Sequence, residues 1–412
     1  MSGALSHLRV LDLSRILAGP WASQLLGDMG ADVLKVERPG SGDDTRQWGP
    51  PNLRDADGND TGVAAYYLCA NRNKRSVAID ITVPAGQELV RELARSADVL
   101  LENYKVGGLA KYGLDYATLA TLNPRLIYCS ITGFGQSGPY AGRAGYDFLI
   151  QGMGGLMSVT GGKEGEPGAG PQKVGVALTD ILTGLYAAVA VLGALTQRDY
   201  SGQGQHIDLA LLDVQVACLA NQAMNYLTTG VAPKRMGNAH PNIVPYQDFP
   251  TADGDMILAI GNDSQFAKFC ELAGRPELAT DGRFSSNARR VAHRVELIPL
   301  LRQITVMRGT REWIVELEGA GVPCGPINDL AGVFGDPQVI ARGLRIELPH
   351  PRGGSVPLVA NPIRYPATPV EYRNAPPMLG RDTASALGDW LGCDASRLAS
   401  LVALGAIEIA GD

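Results

Sequence analysis

Runs of β-branched and leucine residues alternate with segments of helical spacing along the first half of the chain. Residues 8–13 (LRVLDL) read as a short strand, 19–30 (GPWASQLLGDMG) as a helix closed by glycine, and 31–37 (ADVLKVE) as a second strand. The alternation returns as a helix at 86–97 and strands at 98–103 and 125–135. Strands alternating with helices of this length predict βαβ units and a parallel sheet. Residues 174–195 (VGVALTDILTGLYAAVAVLGAL) then carry one ionisable side chain, Asp180, at the head of an apolar segment. Its uncharged part, Ile181 to Thr196, falls short of the roughly 18–20 residues of a membrane span and predicts a buried core helix. Residues 204–215 (GQHIDLALLDVQ) add a strand running into a helix.

From about Asn238 the texture changes. A loop (GNAHPNIVPYQDF) leads into a strand-like DMILAIGN, and helical patterns follow at 265–273, 295–305 and 311–319. GVPCGPIND (321–329) has the glycine and proline density of a turn-rich connector. The expected fold is therefore α/β, with a Rossmann-like parallel-sheet large domain over 1–237 and a smaller α/β domain over 238–330. A C-terminal segment, 331–412, is expected to return to the large domain. Its stretch 350–380 is rich in proline and glycine yet too apolar for a free linker, so it is expected to lie along the first domain or a partner subunit.

Composition narrows the function. With 45% hydrophobic and 19% charged residues the chain has the make-up of a soluble globular protein, not a disordered one. A net charge of -6 argues against general nucleic-acid binding but leaves room for a local basic pocket. The opening MSGALSHLRVLDLSR lacks the basic head and apolar core of a signal peptide, so a cytoplasmic address without membrane attachment is expected. Six scattered cysteines, without a C-x-x-C pair, read as buried thiols of a reducing compartment and predict neither zinc nor disulfides.

Several chemistries lack their motif. The first strand-to-helix turn, SRILAGP, has no G-x-G-x-x-G fingerprint for a dinucleotide, and there is no Walker A lysine motif. The five histidines are far apart, and no G-x-S-x-G elbow occurs. What remains is a carboxylate. Aspartate is a preferred N-cap, which gives Asp180 an ordinary structural role. A helix N-terminus also favours an ionised nucleophile and offers N–H donors to an oxyanion, which gives it a catalytic one.

Four segments taken together decide between these roles: 11–51 (LDLSRILAGPWASQ…), 71–81 (NRNKRSVAIDI), 99–115 (VLLENYKVGGLAKYGLD) and 174–213. In combination they resemble the family III CoA-transferases, which include formyl-CoA transferase and the carnitine CoA-transferases. IVPYQDF (243–249), GVPCGPIND and PPMLGRDT (376–383) are most similar to the succinyl-CoA:glutarate branch. The resemblance implies a CoA-transferase that moves CoA from an acyl-CoA, succinyl-CoA in that branch, to a dicarboxylate such as glutarate. Coenzyme A enters as substrate, and no permanently bound cofactor or metal is implied. Itaconate, mesaconate, malate or oxalate are alternative acceptors, and an α-methylacyl-CoA racemase-like activity is the alternative reaction.

The resemblance also assigns residues. Asp180, in the D-x-x-T-G context, attacks the thioester to give a mixed anhydride and then an aspartyl-CoA thioester. Leu17, Ala18, Arg38, Ile79, Asn103, Tyr104 and Lys111 fall where the family contacts CoA, with Tyr146 beside them. Lys111 replaces an arginine of formyl-CoA transferase and so lacks the bidentate fork; Thr82 replaces a lysine. Tyr146 stands where the racemases carry a histidine, and a tyrosine with its usual pKa of about 10 is a poor base at neutral pH, which favours transfer. For the acceptor, Asp147 and His240 are candidate pocket residues. Arg15, Arg46 and Arg72 are candidates for its remote carboxylate, with ion pairing as their alternative role. The family implies an interlocked homodimer.

Overall fold

The computed structural model describes residues 3–410. Its main sheet has seven strands: β1 (Arg9–Asp12), β2 (Asp32–Glu37), β3 (Lys74–Ile79), β4 (Val99–Glu102), β5 (Ile127–Thr132), β6 (His206–Ala210) and β7 (Ile407–Glu408). They lie in the order β7-β3-β2-β1-β4-β5-β6. The first six are parallel and β7 alone runs antiparallel, against β3. This 3-2-1-4-5-6 order is that of doubly wound dinucleotide-binding folds, although the glycine fingerprint is missing.

Both faces of the sheet are covered, so its central strands carry apolar runs, interrupted toward their carboxyl ends by buried Asp12, Lys35, Glu37 and Glu102. Alternation sorts the side chains. Val10, Val33 and Val99 face one core with Ala22, Leu26, Ala187 and Val191, whereas Leu11, Leu34 and Leu100 face another with Leu89, Leu387 and Trp390. On the first of these faces helix α1 (Ala18–Asp28) packs against helix α2 (Leu178–Ser201). A Cβ on Gly184 would stand 2.7 Å from the Ala18 carbonyl oxygen and 3.0 Å from Trp21 Cβ. The glycine of D-x-x-T-G therefore sets how closely the two helices approach. Gly184→Ala is expected to force them apart, lowering stability by about 1–3 kcal/mol and reducing activity through the displaced Ala18; thermal melts and steady-state rates check this.

The chain forms two compact units. One comprises the described residues up to Leu156, Lys173–Met224 and the chain from Gln338 onward; the other comprises Met157–Gln172 and Asn225–Pro337. In the second unit, three antiparallel strands (Tyr246–Pro250, Asp255–Ala259, Cys324–Pro326) pack against helices Asp263–Leu272, Arg294–Thr305 and Thr310–Gly319 around Phe249, Phe266, Phe269 and Trp313. In the first unit the proline-rich stretch folds into a hairpin (Arg345–His350 with Gly354–Val359) and then runs back over the end of α1. There Asn361 donates to Asp28, and Arg373 donates to the carbonyls of Gly27, Gly30 and Ala31.

Some sequence expectations need correction. GVPCGPIND is not wholly a connector, because Cys324–Pro326 pairs with Asp255–Ala259 and completes a sheet. α2 has 24 residues and is long and apolar enough to cross a membrane by length and composition. One face of it packs in the core through Ala187, Ala188, Val191 and Ala194. Cys69 is exposed, and Cys218 and Cys324 are only half-buried, so the six thiols are not uniformly interior.

Candidate active site

In a doubly wound sheet ligands bind beyond the carboxyl ends of the strands where the order reverses, here between β1 and β4. The loops leaving these two strands are tied together. Asn103 accepts a hydrogen bond from the Arg15 amide (2.9 Å) and donates one to the Arg15 carbonyl (2.7 Å). Ile16 follows with φ of 73°, a left-handed conformation unusual for a β-branched residue, and its amide points at the Asp43 carboxylate (3.2 Å).

Two cavities open at this reversal and share Arg15, Tyr104 and Tyr112. The first, of about 540 Å³, has Leu13, Arg38, Ile79 and Thr82 in its wall. The second, of about 450 Å³, is lined by Leu17, Ala18, Asn103, Lys111, Tyr146 and Asp180. Eight of the residues assigned to CoA by resemblance thus fall on one connected crevice, together with the assigned nucleophile.

Cations beneath the first cavity are already matched. Lys35 pairs with Asp43 at 2.9 Å, both side chains fully buried. Burial disfavours ionised Asp43, but Lys35 and the Thr45 donors outweigh it and hold the carboxyl at about 2. Arg46 forks onto Glu37 (2.7 and 2.8 Å), donates to the Tyr67 hydroxyl and lies 3.7 Å over its ring. Arg72 forks onto Asp28 within the tail contact and lines neither cavity. Arg46 lines neither as well, so both arginines hold the fold together where the sequence had offered them to an acceptor. Arg38, by contrast, has no ion pair among the described residues and is exposed in the cavity wall. Arg15 reaches Asp44 at 2.8 Å on the surface and sits over the Tyr104 ring at 5.7 Å. Lys111 lies 4.6 Å over Tyr112.

Asp180 occupies the first turn of α2 but does not cap it. The N-cap position is Ala177, which has no side-chain donor or acceptor. The cap comes from Asp147, which accepts from the amides of Thr179 (2.8 Å) and Asp180 (3.2 Å). The Asp180 carboxylate itself has no hydrogen bond or salt bridge among the described residues. Burial, and secondarily the charge of Asp147, push its pKa up to about 7. Tyr66, outside the cavity wall, is coupled to it: burial and then Asp180 raise that phenol to about 12.

Asp147 is therefore a helix cap in addition to a neighbour of the crevice, with Tyr146 exposed beside it. His240 lies in the other compact unit, where its Nδ1 accepts from the Asn242 amide at 3.1 Å and its ring meets Tyr246. Gln151 and Gln215 escaped the sequence reading. Gln151 donates to Asp147 (2.6 Å), and Gln215 accepts from the Thr179 hydroxyl (2.6 Å). The only trace of the first is the i,i+4 spacing of Asp147 and Gln151 in YDFLIQ.

A sequence profile described as CoA-transferase family III matches residues 5–383. The chain is 54% identical to the succinate--glutarate CoA-transferase of Agrobacterium fabrum, over 93% of this chain and 95% of that one. It is 43% identical to the human succinyl-CoA:glutarate CoA-transferase, over 98% and 90% respectively. The crystal structure of a CAIB/BAIF family protein from Brucella suis superposes with a TM-score of 0.81 at 52% identity, covering 95% of this chain and all (100%) of that one. With the profile spanning nearly the whole chain and relatives this similar over their full length, the protein belongs to the family III CoA-transferases.

Proposed function

We propose that the enzyme transfers CoA between succinyl-CoA and glutarate through covalent intermediates on Asp180. The observation that carries the mechanism is a partly buried carboxylate with no hydrogen-bond donor among the described residues, facing a cavity continuous with the crevice that holds Arg38 and Tyr104. An Asp180 oxygen attacks the succinyl thioester carbon; the C–S bond breaks and CoA leaves as thiolate, giving a mixed anhydride. The thiolate attacks the Asp180 carbonyl carbon and expels succinate, leaving an aspartyl-CoA thioester. Glutarate attacks that carbon and again releases thiolate, which then attacks the glutaryl carbonyl. Glutaryl-CoA departs and Asp180 is regenerated.

On this reading Arg38 would meet a phosphate of CoA and Tyr104 its adenine, with Leu17, Ala18, Ile79, Asn103, Lys111 and Tyr146 along the path. Of the three arginines offered for the acceptor's second carboxylate, Arg15 alone lines the cavity with Asp180, and its Asp44 partner is exposed and exchangeable. The reading includes an interlocked homodimer in the cytoplasm. Leu185, Tyr186 and Val189 on the outer face of α2 are exposed and apolar, which a partner chain would cover.

Incubation with succinyl-CoA, borohydride or hydroxylamine trapping and peptide mass analysis is expected to place the adduct on Asp180. An unlabelled Asp180, or normal transfer by Asp180→Ala, would sink the mechanism. In an acceptor panel of glutarate, itaconate, mesaconate, malate and oxalate, glutarate is expected to give the highest kcat/KM, and preference for oxalate would overturn the assignment.

A further inference from the structure

The donors at the head of α2 are engaged before any substrate arrives. Asp147 Oδ1 receives the Thr179 and Asp180 amides, and Oδ2 receives Gln151 Nε2. Gln151 is fully buried and accepts from the Val174 amide at 2.9 Å, so the Asp147 carboxylate is held from both sides. The amides that a sequence reading gives to the nucleophile or its oxyanion thus go to a second acid.

Neither acid forms a salt bridge among the described residues. Around Asp180 the charged and titratable groups are Asp147, Arg15, Lys105, Lys111, Arg143, Tyr66, Tyr104, Tyr112 and Tyr146. Arg15 is engaged by Asp44, Lys111 lies over Tyr112 and Arg143 lies over Phe134 and Tyr140. None forms a salt bridge with Asp180 among the described residues.

We propose that Asp147 is a positioning residue that keeps Asp180 strongly nucleophilic, by occupying the helix amides and facing it with a fixed like charge. This rests on the reading of Asp180 as the nucleophile. A carboxylate denied donors is more basic and more nucleophilic than one solvated by them. Attack forms the Asp180 O–C bond, breaks C–S and moves the negative charge onto sulfur, away from Asp147. Repulsion present in the ground state is thereby relieved in the transition state, which is the condition for an interaction to accelerate the chemical step.

Asp147→Asn keeps a carbonyl acceptor for the amides and removes the charge. The acidic limb of kcat/KM is expected to move down by about one pH unit, with a plateau about three- to tenfold lower. Asp147→Ala, which also frees the amides, is expected to move the limb further and to lower the plateau more. A limb that stays in place while the rate falls at every pH would mean a merely structural cap and would overturn the proposal. Should those variants not fold, Gln151→Ala, which loosens the hold on Asp147 without removing its charge, is compared with wild type by carbodiimide labelling of Asp180 across pH and peptide mass. A labelling midpoint that moves in the variant agrees with the proposal, and an unchanged midpoint refutes it. Failure of the nucleophile reading would look different: Asp180→Ala would retain transfer whatever the pH behaviour of Asp147.

Discussion

Asp180→Asn will lower succinyl-CoA-dependent transfer by roughly three orders of magnitude or more and will also stabilise the folded protein at pH 8. On the proposed mechanism the loss follows from removing the covalent nucleophile, for which the second cavity offers no other carboxylate. The gain follows from linkage. Burial and Asp147 raise the Asp180 pKa to about 7 in the fold, against 3.8 for the free side chain. A raised carboxyl disfavours the ionised native state, so the penalty is absent below about pH 4, grows by about 1.4 kcal/mol per pH unit up to about 7 and is constant above. Allowing for partial exposure, the asparagine variant should be more stable by on the order of 2–4 kcal/mol at pH 8 and indistinguishable from wild type at pH 4. Paired thermal melts at the two pH values check it. A variant equally stable with wild type at both would show that Asp180 is solvated as an ordinary surface acid.

The second large effect is on the rate. In the proposed mechanism only ionised Asp180 attacks, and kcat/KM reports the free enzyme, so the rate should climb about tenfold per pH unit below about pH 7 and level off above it. Between pH 5 and pH 7 the rise is about fiftyfold. An aspartate of ordinary pKa would instead give a flat profile across that interval. The measurement is steady-state kcat/KM for succinyl-CoA at saturating glutarate, with fold and stability checked at each pH.

Reading the sequence succeeded where local pattern and tertiary role coincide. The strands around residues 10, 34, 100 and 129 were visible because a doubly covered parallel sheet favours runs rich in apolar residues. Asp180 was visible because a charge at the head of so apolar a segment is conspicuous. Its cap was not, because Asp147 lies 33 residues earlier and its contact to the Asp180 amide leaves no periodic trace. Arg46 and Arg72 were open to either reading, since an arginine near a motif looks the same whether it faces a ligand or an acid from another element. Asp28 and Glu37, 44 and 9 residues away respectively, decide their fate. Cys324–Pro326 was hidden by its own composition: a three-residue edge strand needs no β-branched run when its neighbour supplies the register.

The paired hydrogen bonds of Asn103 to Arg15 have a mechanical consequence. They staple the loops leaving β1 and β4, so the mouth of the crevice cannot widen at one lip without dragging the other.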